Sequence, residues 1–177
     1  MSTQVMLDLE TVGNGKNSAI VSIGAVPFNA NGIIEGNDFY REINLQSCFD
    51  EGLQADGSTI AWWMQQSEEA RQVFVNNDKA EHLLIVLDDL SKWMRSLKVK
   101  EVWGCGSDFD NAILSNAYRK VGMEEPWEFW NNRCYRTLKS LFPGVKIDRE
   151  GTVHHNALGD AKAQTKHLLK IMKVIGR

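Results

Sequence analysis

Val5-Met6-Leu7-Asp8-Leu9-Glu10-Thr11 sets two carboxylates two residues apart in an otherwise apolar run. Successive side chains of a strand point to opposite faces. Read as a strand, this stretch puts Asp8 and Glu10 on one face and Val5, Leu7 and Leu9 on the other. The apolar side fits burial against a core, which leaves two negative charges side by side at a sheet surface. Charges that close repel, and each raises the other's pKa unless something positive lies between them. A divalent cation with hard oxygen ligands is the usual remedy. Taken alone, the pair reads more simply as two solvent-facing acids without a task, so the rest of the chain has to decide.

Outward from this strand, Gly13-Asn14-Gly15-Lys16-Asn17 reads as a loop. Residues 19–28 are apolar and β-branched, Asn29-Ala30-Asn31-Gly32 makes a turn, and residues 38–43 alternate around Phe39 and Tyr40. Three strands with short connections predict an antiparallel meander. Leu83, Val86, Leu87, Leu90, Trp93, Met94 and Leu97 recur on one helical face, which predicts a helix over 81–97. A short strand at 101–103 leads to Gly104-Cys105-Gly106. Ser107 or Asp108 is then expected to cap a helix carrying Ile113, Leu114, Ala117 and Tyr118. Residues 136–141 read as a short helix stopped by Pro143-Gly144, and residues 157–174 as a closing amphipathic helix. Strands first, then alternating helix and strand, predict an α/β fold with a mixed central sheet flanked by helices.

The bulk numbers exclude several classes. A chain of 177 residues is about the size of one domain, expected here over 1–177. With 43% hydrophobic and 24% charged residues it is neither disordered nor fibrous. No apolar run approaches the roughly 18 residues of a membrane span, so no membrane partner is expected. The first strand begins almost at once, which argues against a signal peptide. Cys48, Cys105 and Cys134 are odd in number and widely spaced, so neither a disulfide framework nor a zinc site is indicated. A reducing cytoplasm is the expected compartment. The net charge of −3 gives no global nucleic-acid signature, although metals held in a site can supply positive charge locally.

Further acids give the first pair its meaning. Asp110 lies in Ser107-Asp108-Phe109-Asp110-Asn111-Ala112-Ile113-Leu114, expected in the first turn of a helix. Asp160 lies in His155-Asn156-Ala157-Leu158-Gly159-Asp160-Ala161, opening the last helix. Either acid alone is explained by the helix dipole. Together, D-x-E-T, then F-D-x-x-x-L, then H-x-A-L-x-D-A, in that order, resemble the DnaQ-like DEDDh 3′–5′ exonuclease superfamily with its ribonuclease-H-like fold. The resemblance runs over Asp8, Glu10, Thr11, Phe109, Asp110, Leu114, His155, Ala157, Leu158, Asp160 and Ala161, from residue 5 to about 172. Thr59-Ile60-Ala61-Trp62-Trp63-Met64-Gln65-Gln66-Ser67-Glu68-Glu69-Ala70-Arg71 is similar to a segment of the small phage and bacterial exodeoxyribonuclease-VIII-like or exoribonuclease-like members. One departure stands out. Many members carry a His-Asn pair ahead of F-D, where this chain has Cys105 and Gly106.

The resemblance implies two divalent ions, Mg2+ or Mn2+. Asp8 would bridge them, Glu10 and Asp160 would complete one site, and Asp110 would support the other; hard oxygen ligands suit both metals. It also implies that His155 takes the proton of the attacking water. An imidazole suits that task near neutral pH. His155 stands five residues before Asp160, as in the family motif, whereas His154 stands six. Glu10 and the backbone at Thr11 are expected to recognise a 3′-hydroxyl, so that nucleoside 5′-monophosphates leave from the 3′ end of single-stranded DNA or RNA. Val12 reads either as a wedge against the last base or as ordinary packing. Adjacent helical residues point about 100° apart, so one of Trp62 and Trp63 is expected in the core and the other, near Gln66, in the substrate groove. A ribonuclease-H-type endonuclease and a silent nucleic-acid-binding module share the scaffold and remain alternatives. Some similar small proteins are dimers, so a homodimer is also open.

Overall fold

The computed structural model describes residues 2–149 and 155–176. The first strand of the sequence forms as β1 (Thr3–Thr11), and the apolar run after it forms β2 (Ile20–Asn29). A tight turn at Ala30-Asn31 returns the chain as β3 (Gly32–Ile33), a short strand that the sequence did not announce. β4 (Phe39–Glu42) then pairs with β2 beyond it. The antiparallel order β1–β2–β4 is the predicted meander.

The segment that follows is built from short helices: α1 (Leu45–Asp50), α2 (Gly57–Trp63) and α3 (Glu68–Arg71). The strongly amphipathic stretch forms α4 (Leu83–Ser96). After it come β5 (Val99–Gly104), α5 (Ala112–Lys120), β6 (Asn132–Cys134), α6 (Tyr135–Leu141) and α7 (Ala157–Val174). The sheet runs β3-β2-β1-β5-β6, with β5 parallel to β1 and β6 parallel to β5. Three parallel strands therefore end at one edge, at Thr11, Gly104 and Cys134.

Period-two alternation in β1 divides the core. Val5, Leu7 and Leu9 pack with Leu83, Val86, Leu87, Leu90 and Met94 of α4 and Ile113, Leu114 and Ala117 of α5. Met6, on the opposite face, packs with Val26, Phe28, Trp103, Tyr135 of α6 and Ala161 and Leu168 of α7. Asp8 and Glu10 continue the Met6 face beyond the apolar packing, where α7 begins. A buried tether fixes α6 to α7. His167 Nε2 lies 2.8 Å from the Val145 carbonyl and Nδ1 lies 2.6 Å from the Tyr135 hydroxyl. Because a carbonyl only accepts, the ring donates from Nε2 to Val145 and meets the Tyr135 hydroxyl at Nδ1.

Candidate active site

The first two acids owe their position to strand pairing and to one close approach. Asp8 stands opposite Gly24 of β2, and Glu10 opposite Ser22. The start of α7 crosses directly over Gly24. A Cβ there would stand 2.2 Å from the Ala157 carbonyl carbon and 2.4 Å from the Leu158 nitrogen. Only a bare backbone lets the helix settle this low on the sheet. The consequence is that His155 and Asp160 come down beside β1.

The H-x-A-L-x-D-A stretch is a helix start in which each polar group has a partner. Asn156 is the cap, and its side chain accepts from Gly159 N at 2.9 Å. Asp160 Oδ2 accepts from His155 N at 3.1 Å, Arg149 pairs with Asp160 Oδ1, and Ala157 and Ala161 face the sheet. His155 holds a left-handed backbone, φ +59°, which turns its ring back over the acids. His154 lies outside the described residues.

Asp110 arrives by a different route from the one expected. Neither Ser107 nor Asp108 caps a helix: residues Ser107–Asn111 form one wide π turn without a side-chain cap, and α5 begins only at Ala112. Asp110 therefore belongs to that turn rather than to the helix. The β1–β5 ladder ends at Met6 and Trp103, and Leu9 N–H then donates to Asp110 Oδ1 at 3.1 Å. This bond draws the turn against β1. A π turn at this point aims one carboxylate inward while the helix keeps its apolar face on the core.

Asp8, Glu10, Asp110, Asp160 and His155 thus share one open hollow of about 240 Å3, completed by Cys105, Phe109, Arg136, Arg149 and Gln164. Glu10, Asp110 and Asp160 are buried and Asp8 is half-buried. The pair is therefore not the solvent-facing one that the strand alone suggested. Burial, then repulsion from Asp110, Glu10 and Asp160, pushes the Asp8 carboxyl well above its ordinary pKa, partly offset by Gln164. Burial and the charges of Asp160 and Asp110 push Glu10 up to about 8. Burial pushes Asp110 up to about 7, although the amides of Leu9 and Cys105 and the Arg136 charge pull the other way.

A divalent cation fits this donor set. Four carboxylates face one hollow, and Asp110 Oδ2 is buried without a hydrogen-bond partner among the described residues. One ligand atom each from Glu10, His155 and Asp160 lies within 4.8 Å of the others. Positive charge here would relieve the repulsion and take up the orphaned oxygen.

The remaining expected residues lie beside the hollow rather than in its wall. Trp63 is buried, donates from Nε1 to the Thr11 carbonyl at 2.8 Å and packs edge-on against Phe74. Trp62 is 41% exposed and meets the His155 ring edge-on, with centroids 4.8 Å apart. Gln66 Nε2 donates to the Trp62 carbonyl at 3.0 Å. Thr11 is buried and its hydroxyl donates to the Gly13 carbonyl. Val12 is also buried, and with Ile60, Trp63, Met64 and Phe74 it lines a separate apolar hollow. Sequence reasoning missed three residues of the site: Gln164, Arg136 and Arg149. Gln164 donates to Asp8 Oδ1 at 2.6 Å, and its spacing of four from Asp160 on one helix was a readable signal. The two arginines carried none, because they reach the site only through the packing of α6 and of the chain before α7.

A family model described as the 3′-5′ exoribonuclease Rv2179c-like domain matches residues 3–172. An exodeoxyribonuclease of Enterobacteria phage T4 is 27% identical over 190 aligned residues, covering 88% of this chain and 82% of the phage protein. Among solved structures, the nuclease domain of 3′hExo, a DEDDh family member bound to rAMP, superposes with a TM-score of 0.65 at 14% identity. That match covers 98% of this chain and 92% of the other. Exonuclease I of E. coli in complex with a dT13 oligonucleotide gives 0.66 at 14% identity, covering 97% of this chain and 41% of that longer one.

Proposed function

Since the chain belongs to the Rv2179c-like 3′-5′ exoribonuclease domain family, within the DEDDh exonucleases, we propose that this 3′-5′ exonuclease trims single-stranded DNA or RNA to nucleoside 5′-monophosphates. The observation that carries the reading is the convergence of Asp8, Glu10, Asp110 and Asp160 with His155 at one sheet edge, from β1, the π turn and α7. The family uses divalent metal ions. Two ions, Mg2+ or Mn2+, held by these four acids, would stabilise charge on the attacking and leaving oxygens of an in-line displacement.

The chain's own residues do the rest. His155 takes the proton of the attacking water, and its ring is held edge-on by Trp62. Gln164 fixes the rotamer of Asp8. The backbone at Thr11, braced by Trp63, together with Glu10, receives the terminal 3′-hydroxyl. Trp62 offers an exposed ring for a base to stack on, and Val12 with its apolar hollow lies on the same side. The rAMP held by 3′hExo and the dT13 held by Exonuclease I support a single-stranded end as the ligand of this fold. The family model names RNA and the phage relative names DNA, so both sugars belong in the test.

The test uses 5′-labelled single-stranded DNA and RNA of matched sequence with Mg2+ or Mn2+, beside Asp8→Ala and a chelator. The expected result is a ladder shortening from the 3′ end, absent in both controls. A circular single strand stays intact if the enzyme needs an end; its cleavage would instead support an endonuclease. Intact linear strands with folded protein would defeat the reading.

A further inference from the structure

Arg136 stands on the wall of the acid hollow at the start of α6, with its side chain exposed. Its Nη2 donates to the Cys105 carbonyl at 2.6 Å. No ion pair among the described residues involves it. The guanidinium nevertheless lies close enough to Asp110 and Cys105 to act on both electrostatically.

The Cys105-Gly106 turn is shaped to receive it. Gly106 has φ +115°, and a Cβ on it would stand 2.9 Å from Arg136 Nη2 and 3.0 Å from Cζ. The guanidinium therefore lies against bare backbone, in space that any side chain at position 106 would fill. Here the chain departs from the His-Asn pair of similar enzymes, and an arginine from a neighbouring strand end occupies that edge. The base of Arg136 is anchored by the preceding residue, the buried Tyr135, whose hydroxyl is held by His167. Among the described residues one hydrogen bond holds the guanidinium, which leaves further N–H donors on the wall of the hollow. A planar fork of such donors matches phosphate oxygens.

Sheet order says which phosphate it meets. Thr11 and Trp63 stand at the end of β1, Asp110 follows β5, and Arg136 follows β6, the strand on the far side of β5 from β1. On the exonuclease reading a strand has its 3′ end at Glu10 and Thr11 and its scissile linkage at the acids, and the β6 edge lies one strand spacing of about 4.8 Å beyond β5. We propose that Arg136 is a substrate-binding residue that holds the phosphodiester immediately 5′ of the scissile bond. This rests on the exonuclease reading above and adds a substrate contact to it.

The experiment measures single-turnover release of the first nucleotide by wild type, Arg136→Ala, Arg136→Lys and Arg136→Gln. The substrate is a short single strand of whichever polymer the wild type trims faster. It is supplied with ordinary linkages, or with one neutral methylphosphonate at the linkage 5′ of the scissile bond. The neutral linkage slows the wild type about tenfold or more, as loss of one charge-assisted hydrogen-bonded contact does. Arg136→Ala loses about as much on the ordinary strand and nothing further on the neutral one. Arg136→Lys recovers part of the rate on the ordinary strand. Arg136→Gln, which retains a donor for the Cys105 carbonyl, behaves like Arg136→Ala. The proposal is overturned if Arg136→Ala trims the ordinary strand at the wild-type rate. It is also overturned if the neutral linkage slows variant and wild type by the same factor, because Arg136 would then only brace the turn. A wild type that leaves every ordinary end intact defeats the exonuclease reading itself, a result these variants cannot produce.

Discussion

At the scale of single residues, the site is a set of acids held close together against their own electrostatics. Glu10 and Asp110 keep their protons in the metal-free fold up to about pH 8 and pH 7. In the unfolded chain they release them near 4.5 and 3.8, the ordinary values. Folding therefore binds protons between these limits. Their contribution to stability is complete below the unfolded values and is lost as pH rises through the folded ones. Metal-free protein is accordingly expected to lose thermal stability from pH 4.5 to pH 8, followed by unfolding temperature in chelator. Asp8→Asn should flatten that slope and raise the unfolding temperature at pH 8, while abolishing strand shortening. A steeper slope in Asp8→Asn would contradict the origin given to it. His155→Ala is expected to lower turnover by about 10²–10⁴-fold with oligonucleotide affinity retained; near-normal turnover would remove His155 from the chemistry.

At the scale of elements, two packing events decide whether these residues meet. The crossing of α7 over β2 depends on Gly24, so Gly24→Ala forces the helix start off the sheet. Overpacking of this kind costs about 1–3 kcal/mol. Because the displaced segment carries His155 and Asp160, turnover is expected to fall by far more than stability explains, measurable as activity at a temperature where the variant is still folded. The second event is the seating of α2. Trp63 is buried and hydrogen-bonded to Thr11, and Trp63→Ala is expected to cost about 3–5 kcal/mol. Trp62 is exposed, so Trp62→Ala should leave stability within about 0.5 kcal/mol of wild type. If it carries a base, its loss raises the Michaelis constant about fivefold or more. An unchanged constant in a stable Trp62→Ala would take that ring out of the groove.

At the scale of the whole molecule, charge sets how the substrate is held. With a net charge of −3 the protein as a whole gives no net attraction for a polyanion. The basic side chains on the wall of the hollow are Arg136 and Arg149, the latter paired with Asp160. Each phosphate neutralised on a single strand contributes about −0.7 to the slope of log affinity against log salt. The one such contact argued above, at Arg136, predicts a slope of about −0.7 for oligonucleotide binding, measured by anisotropy over a salt series. A slope several times steeper would mean a longer tract of phosphate contacts than this hollow provides. A larger open hollow of about 1110 Å3 lies by the start of β5, where Arg95, Lys100 and Arg119 stand among Glu124, Glu125 and Glu128. Among the described residues no helix is long and apolar enough to cross a membrane.

Much of this was legible from the amino-acid order, because its rules are local. Alternation in β1 fixed which face carries Asp8 and Glu10, periodicity found α4 and α7, and the resemblance of three motifs to those of the DEDDh nucleases singled out Asp110, His155 and Asp160. Three to four residues of context suffice for such readings. Tertiary structure alone decided what depends on distant parts of the chain. Asp110 sits in a π turn rather than a helix because Leu9, 101 residues earlier in sequence, supplies its hydrogen bond. Trp63 rather than Trp62 is buried because the Thr11 carbonyl waits for its indole. Arg136 reaches the acids because β6 lies beside β5 and Gly106 leaves room for it. Residue order supplied the groups that the chemistry has to work with. Pairing across the sheet, and the low crossing of a helix over one glycine, decided that they share a single hollow.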